Sequence, residues 1–511
     1  MNKFKEKMTL NPVMTILFLI AFAIILSGFL SLIGFEGTYN KIDLNTKEYI
    51  VTSESVESLL NLHGLKYIFS STVSNFTAFT PLSTIIIILI GIGILEKSGF
   101  IKTSFTILTK YCKKYTVTFW LIFISMLFSI TGDIGYAIMI PISALIFTYG
   151  RRNPLVGITA AYAALTCGSG ISIFLTSIDS EMLNYTLANT NIIDQSYNLS
   201  TWCFLFINIV AMLLCSVILT IITERFTVTD VEKYEYKDEK KELRIGRREY
   251  RGLIFSLSAG SLYLLIFLYN IIPGLPFSGN LLDYSQYFYI DKLFSHNSFF
   301  SQGFVFIVTM FFVILGLFYG IGAKTIKNNN DFCEDLTHSL DGTGYTLILI
   351  LLGSILINVV KKTNIGTVIT INLANFITKS GFTGPSLIIL LFLIVAVSSL
   401  FLTSSTARWA ILSTTAIPTF ISCSLSPELA QVITRFGECA TTGLTPILAY
   451  FFVYLAYIEK YNQNEKPISL FTAIKYQTKY AFITGVVLLL LIIGWYLIGL
   501  PIGIGGHIIT T

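Results

Sequence analysis

Apolar residues run along this chain in blocks of about twenty, the length needed to cross a bilayer, separated by short polar stretches. The first block, Pro12 to Phe35, is too long for the apolar core of a cleavable leader and reads as a first transmembrane helix. A polar stretch, about Glu36 to Asn75, follows, and then a second span from Phe79 to Leu95. From Tyr115 to Tyr149 the chain is apolar except for Thr131-Gly132-Asp133 near its middle, and both flanks are basic. Each arm holds about 16 residues, or roughly 24 Å of helix, short of the ~30 Å hydrocarbon layer. The pattern therefore favours a re-entrant hairpin over two full spans. Pro154 to Leu165 begins another span. It is interrupted by Thr166 to Gly170, resumes at Ile171 to Ile178 and places Asp179 near its external end. Backbone that irregular is tolerated at membrane depth only where it lines a cavity. Further spans are expected at Thr201–Ile222, Gly252–Ile272 and Gly303–Gly322.

The remaining pattern repeats the first. Leu347 to Gly353 echoes Ile85 to Gly91. A second interrupted apolar run, Pro385 to Ser422, breaks at Thr403 to Trp409. Asp133-Ile134-Gly135-Tyr136-Ala137-Ile138-Met139 aligns with Thr406-Ala407-Arg408-Trp409-Ala410-Ile411-Leu412. A second broken span follows each hairpin, the later one interrupted at Glu438 to Gly443 before Pro446. Tyr136 to Ser172 is 36 residues and Trp409 to Thr442 is 33. The last span runs from about Ala481 to Leu500. The expected fold is all-α, with about nine transmembrane helices, two re-entrant hairpins and two discontinuous helices. Its first repeat half is 1–223, its charged loop 224–251, its connecting helices 252–323 and its second half 324–511. Counting crossings inverts the two halves, an arrangement characteristic of secondary transporters.

Composition sharpens this. Of 511 residues, 54% are hydrophobic and only 12% charged, against about 25% charged in soluble domains. A soluble enzyme and a nucleic-acid binder are excluded. Basic residues prefer the cytoplasmic side. Lys3, Lys5 and Lys7 put the N-terminus inside, as do the basic residues of the 224–251 loop, Lys233, Lys237, Lys240, Lys241, Arg244, Arg247, Arg248 and Arg251, for that loop. The C-terminus is then external. No phosphate-binding loop or dinucleotide fingerprint occurs, and the four histidines and seven cysteines do not cluster at metal-ligand spacing, so neither a metal site nor a cofactor is expected.

The few charges near midplane depth are the candidate chemistry, because a carboxylate there is costly and usually functional. Glu438 suits a proton acceptor or cation ligand, or an ion pair with Arg408 or Arg435. Asp133, at the first hairpin tip, could take a proton, pair with Arg408 or cap free N–H groups. Arg408 offers a planar fork to a carboxylate, either the substrate's or that of Glu438. Trp409 could stack on an aromatic substrate or simply pack. Ser169, Ser172, Ser405, Thr406, Thr441 and Thr442 can line a site with hydroxyls. Gly168, Gly170, Pro427, Gly443 and Pro446 set the backbone breaks.

Three stretches resemble the AbgT family of p-aminobenzoyl-glutamate transporters: Ile140-Pro141 through Gly150 to Ile158, Ser404 to Leu412, and Ser426-Pro427-Glu428-Leu429 through Arg435 to Glu438. The resemblance implies a homodimer of nine-helix protomers in the bacterial cytoplasmic membrane. It also implies proton- or sodium-coupled movement of aromatic carboxylates, including sulfonamide export, with sodium as a possible bound ion. Positions important in the family fall on Asp179, Thr406, Trp409, Pro427, Glu438 and Pro446. Here Glu438 replaces the family's aspartate, Arg408 its lysine, and Ser172 and Thr442 its asparagines. Another organic anion on the same architecture and a channel are the alternatives; an intramembrane enzyme finds no nucleophile–base pair.

Overall fold

The computed structural model describes residues 11–509 except 45, 47, 174–175, 232–233, 236–245, 287–288, 296 and 465. The orienting residues Lys3, Lys5, Lys7, Lys233, Lys237, Lys240, Lys241 and Arg244 lie outside the described residues. Among the described residues eight helices are long and apolar enough to cross a membrane. Seven are the expected continuous spans: Pro12–Leu32, Leu62–Lys97, Leu205–Asp230, Arg247–Ile271, Phe299–Ala323, Gly344–Lys362 and Leu470–Ile498. The eighth, Lys114–Thr131, is the first arm of the first hairpin. Two interrupted helices bring the spans to nine.

The first hairpin runs up Lys114–Phe128, turns through Ser129–Thr131 and returns as Asp133–Tyr149. Gly132 makes the turn with φ +59°, a conformation costly for other residues. The first interrupted helix is Pro154–Gly168, then an irregular segment, then Ser177–Ile193. The helix resumes at Ser177, not at Ile171 as expected. Thr176 and Asp179 form a capping box that fixes the new start, and Ile171 is buried as connector. Residues 179–193 are therefore helix.

The second hairpin has arms Gly384–Ser398 and Ser405–Ser422. Its turn lies at 399–404, earlier than expected. Ser404 caps the second arm by accepting from Ala407 N at 3.3 Å, so Arg408 and Trp409 fall in that arm's first turns. The second interrupted helix is Pro427–Thr441, a 3-10 turn at Thr442–Leu444, and Phe451–Lys460. Pro427 starts its helix instead of breaking one, as proline at the first helical position does. Glu438 lies in the last turn, and the break itself holds Gly443 and Pro446.

The two halves pack with the same logic. Both arms of each hairpin pack on their own half's interrupted helix, Pro154–Gly168 or Pro427–Thr441. The second arm of each hairpin also packs on the other half's continuation: Ser405–Ser422 on Ser177–Ile193, and Asp133–Tyr149 on Phe451–Lys460. The first arms lean on the long closing helices Leu205–Ile222 and Leu470–Ile498, which touch each other. Arg247–Ile271 and Phe299–Ala323 pair outside this core, and Phe299–Ala323 rests on Thr80–Lys97. Gly252 against Ala323 and Gly316 against Ile94 permit that close approach. The polar stretch after the first span folds into a β-hairpin, Glu36–Ile42 with Tyr49–Ser55, and the start of Leu62–Lys97. The hairpin's carbonyls at Glu36 and Thr38 accept from Asn372 and Asn375.

Candidate functional site

Helix Pro427–Thr441 inverts the usual amphipathic pattern. It is buried almost throughout, and its polar residues Glu428, Gln431, Arg435 and Glu438 recur at intervals of three and four. That spacing puts them on one helix face. Gln431, Arg435 and Glu438 find partners on the first interrupted helix and the second hairpin, and Glu428 finds its own on Tyr197 and the chain's last segment.

Arg435 stands at the centre. Its Nε lies 2.7 Å from Asp179 Oδ1, an ion pair off the hydrogen-bond axis. Its Nη1 donates to Glu438 Oε1 and its Nη2 to the carbonyl of Ser169. Glu438 spends its second oxygen on Arg408 Nη2, and Arg408 Nη1 donates to the Leu402 carbonyl at 2.6 Å. Asp179 Oδ2 accepts from Thr176 Oγ1 at 2.6 Å. Two carboxylates and two guanidiniums, all buried, sum to zero charge when ionised. Buried charges persist only when paired and hydrogen-bonded in this way.

The cluster joins three elements that chain order keeps far apart. Asp179 comes from the start of Ser177–Ile193, Arg408 from the second arm of the second hairpin, and Arg435 and Glu438 from the second interrupted helix. The two interrupted helices cross where they break. A Cβ on Gly170 would lie 2.4 Å from Arg435 O and 2.5 Å from Cys439 Sγ, and one on Gly443 would lie 2.9 Å from Thr166 Oγ1.

Of the expected site residues, Asp179, Arg408 and Glu438 meet directly. Asp179 is buried at the heart of the cluster, not at an external helix end. Ser169 joins through its carbonyl, and Thr442 through a 2.6 Å bond to Glu438 O. Thr441 bonds Ala396 O and Ser399 Oγ, both at 2.7 Å, tying the second break to the hairpin turn. Ser172 is buried, and its carbonyl accepts from Asn208 at 2.8 Å beside a crevice that Asp179 also lines. Ser405 and Thr406 sit half-buried at the second hairpin tip, and Gly168 packs against Ser129.

Two candidates are placed differently. Trp409 is fully buried, and its indole N–H lies 3.1 Å from Met182 O and 3.0 Å from Thr186 Oγ1. It locks the second hairpin to Ser177–Ile193. Asp133 is exposed at the first hairpin tip and makes no ion pair among the described residues.

Sequence reasoning missed Gln431, which accepts from Thr186 at 2.6 Å and donates to Asp179 O at 3.3 Å. It also missed Glu428, held by Tyr197 at 2.6 Å and by His507 N at 2.8 Å. The three-four polar spacing of the helix was the available signal. No group of three His, Cys, Asp or Glu side chains able to hold a metal ion gathers among the described residues.

Paired hairpins, two interrupted helices and a charge cluster buried where the breaks cross define a multi-pass membrane transporter, not an enzyme. The chain belongs to the AbgT putative transporter family, whose model matches residues 4–510. It is similar to the p-aminobenzoyl-glutamate transport protein of Escherichia coli K12, 24% identical over 453 residues, which are 88% of this chain and 86% of that one. Among solved structures it is similar to the YdaH transporter of Alcanivorax borkumensis, with 22% identity and a TM-score of 0.49, covering 97% of this chain and 100% of the other. It is also similar to MtrF of Neisseria gonorrhoeae, from a class of antimetabolite efflux pumps, with 26% identity and a TM-score of 0.48, covering 98% of each.

Proposed function

We propose that the chain is a secondary active transporter that moves an organic anion of the p-aminobenzoyl-glutamate type, driven by a proton or sodium gradient. The observation that carries this reading is the zero-sum charge cluster at the crossing of the breaks. A substrate carboxylate can bind Arg408 or Arg435 only by displacing Glu438 or Asp179. A proton or a sodium ion that neutralises Glu438 frees Arg408 of its carboxylate and leaves Arg435 to Asp179 alone, since each Glu438 oxygen serves one guanidinium. Entry of a negative charge is thereby linked to entry of a positive one. The cost of leaving a buried charge unpaired enforces the linkage. The named relative from Escherichia coli supports the substrate class. In this reading the basic loop faces the cytoplasm, the membrane is the bacterial inner membrane, and the protomers pair as a homodimer.

Trp409 favours a second reading of the substrate. Its ring is enclosed and its N–H engaged, so it offers no platform for an aromatic ring in this conformation. A dicarboxylate or short-chain acid would meet the same guanidiniums.

Reconstitution into liposomes separates these readings. Labelled p-aminobenzoyl-glutamate and p-aminobenzoate are followed under a proton gradient and, separately, a sodium gradient. Gradient-driven flux of either compound is expected. No flux of either under both gradients overturns the substrate assignment, and flux of an aliphatic dicarboxylate instead selects the second reading.

A further inference from the structure

The foot of the first hairpin is tied by Arg152, which follows its second arm. The guanidinium pairs with Glu224 at 2.5 Å, donates to Thr118 Oγ1 at 2.7 Å and to the Lys114 carbonyl at 3.4 Å, and lies 4.2 Å from the centre of the Phe147 ring. Thr118 also donates to Glu224. Thr118 belongs to the first arm, Phe147 to the second, and Glu224 to the π-helical turn Thr223–Thr227 that ends helix Leu205–Ile222. The knot is largely withdrawn from solvent, with its two charged side chains 11% and 8% exposed, and its one carboxylate is spent inside it.

Cations that the knot does not use surround it. Arg151 precedes Arg152 in the chain, Arg225 follows Glu224, and Lys113 and Lys114 open the first arm. Lys110 lies just before them, in the last turn of helix Phe100–Tyr111. All five are exposed, and none makes an ion pair among the described residues. Glu224 is the sole acid in segments 100–115, 147–153 and 222–228, and the next acid along, Asp230, pairs with Lys479 at 2.5 Å. Orienting the spans asks only for basic residues on this side of the membrane. It does not ask for them to gather round the foot of one hairpin without counter-charge. Aromatic rings set the depth of the patch. Tyr111 and Tyr115 flank Lys113 and Lys114 and are 78% and 61% exposed. Trp120, also exposed, follows about 9 Å farther along the arm. Amphipathic rings of this kind sit at the level of the lipid headgroups.

We propose that the foot of the first hairpin is a docking surface for anionic phospholipid, held by its headgroup phosphate, in the leaflet on the side of the 224–251 loop. Charge complementarity selects this occupant: the bilayer supplies phosphate in the plane of the tyrosines, and both guanidinium and ammonium groups bind it. Lipid bound there neutralises cations that otherwise compete with Arg152 for Glu224, and so holds the hairpin's foot against helix Leu205–Ile222. The surface does not depend on what the chain carries.

Trp120 reports on this surface directly. In the full-length protein carrying Trp202→Phe it is the one exposed tryptophan, because Trp409 and Trp495 are buried. The protein is reconstituted in bilayers of phosphatidylcholine and phosphatidylglycerol in equal parts, with acyl-chain bromines carried by one lipid or by the other, and quenching of Trp120 fluorescence compares the two lipids at its side. Brominated phosphatidylglycerol should quench with a relative affinity several-fold above that of brominated phosphatidylcholine, and high salt should shrink the difference. Lys113→Gln, Lys114→Gln and Arg151→Gln together should bring the ratio close to one. Lys379→Gln, at the exposed end of helix Ile365–Lys379, should leave it unchanged. Equal quenching by the two lipids without the charge substitutions, or a preference that survives the triple substitution, overturns the docking surface.

Discussion

At the scale of single residues, the reach of Glu438 decides the site. One carboxylate bridges two guanidiniums from different elements, which only a side chain of sufficient length can do. Glu438→Gln leaves two buried positive charges facing Asp179 alone, and breaking a buried pair costs about 3–5 kcal/mol. Thermal unfolding in detergent should show that loss, and gradient-driven flux should fall by roughly tenfold or more, equivalent to about 1.4 kcal/mol of barrier. Glu438→Asp keeps the charge but is one methylene shorter, so it should satisfy one guanidinium and give intermediate stability. Wild-type behaviour of both variants would show that the bridge is incidental. Trp409→Phe makes a different prediction. It forfeits the indole N–H bond while Met182 O keeps the Thr186 hydroxyl as a donor, at a cost of about 0.5–1.5 kcal/mol. Because the ring is enclosed, affinity for aromatic and aliphatic anions should change by the same factor. A loss confined to aromatic substrates, measured by competition, would mean that the ring reaches substrate in another state of the cycle.

At the scale of elements, the interruptions were legible in the sequence but their edges were not. Gly168-Ser169-Gly170 marks where a helix stops, because small residues there allow another backbone to approach. It does not mark where the next helix starts. Thr176 and Asp179 set that, and Asp179 reads as an external helix end until its partner Arg435, 256 residues later in the chain, is in place. The Thr403-to-Trp409 motif likewise looks like a break but ends as a cap at Ser404 followed by a first turn. Arg408 and Glu438 were recognisable as alternative partners for each other, and only packing could choose. The three-four polar stripe of Pro427–Thr441 was visible in full, yet its meaning depends on a helix buried on all sides. The crossing of the breaks can be tested through its two glycines. A methyl on Gly170 meets backbone and a sulfur at 2.4–2.5 Å, whereas one on Gly443 meets a threonine side chain at 2.9 Å. Backbone cannot yield as a hydroxyl can, so Gly170→Ala should destabilise by roughly 1–3 kcal/mol and Gly443→Ala by less. Equal unfolding temperatures for the two variants would contradict the crossing geometry.

At the scale of the whole molecule, each hairpin is held by the other half's interrupted helix, so neither half completes a site alone. Of the second-half residues of the cluster, Arg435 is held directly by Asp179 and the Ser169 carbonyl of the first half, and Arg408 is linked to them through Glu438 and Arg435. The face opposite the basic loop is closed by the chain's last segment. Ile502 O accepts the N–H groups of Phe206 and Ile207, both at 3.1 Å, at the start of helix Leu205–Ile222. Ser426 bonds the carbonyls of Ile508 and His507 at 2.9 and 2.6 Å, and Glu428 accepts from His507 N. This strap therefore links the closing helix of one half to the start of the interrupted helix of the other. Its fit depends on glycine: a Cβ at Gly503 or Gly506 would lie 2.4 or 2.3 Å from the Cys203 backbone. Gly506→Ala should lift the strap, leave Glu428 buried with Tyr197 as its remaining tie, and lower stability by about 1–3 kcal/mol, the usual range for an overpacked contact or an orphaned buried group. Gly494→Ala is the control, since nothing lies within 4 Å of the added methyl and alanine favours helix by about 0.5–1 kcal/mol. Unfolding followed by temperature should order the three proteins as Gly506→Ala, then wild type, then Gly494→Ala. A Gly506→Ala protein as stable as wild type would mean that the two halves are joined by their breaks alone.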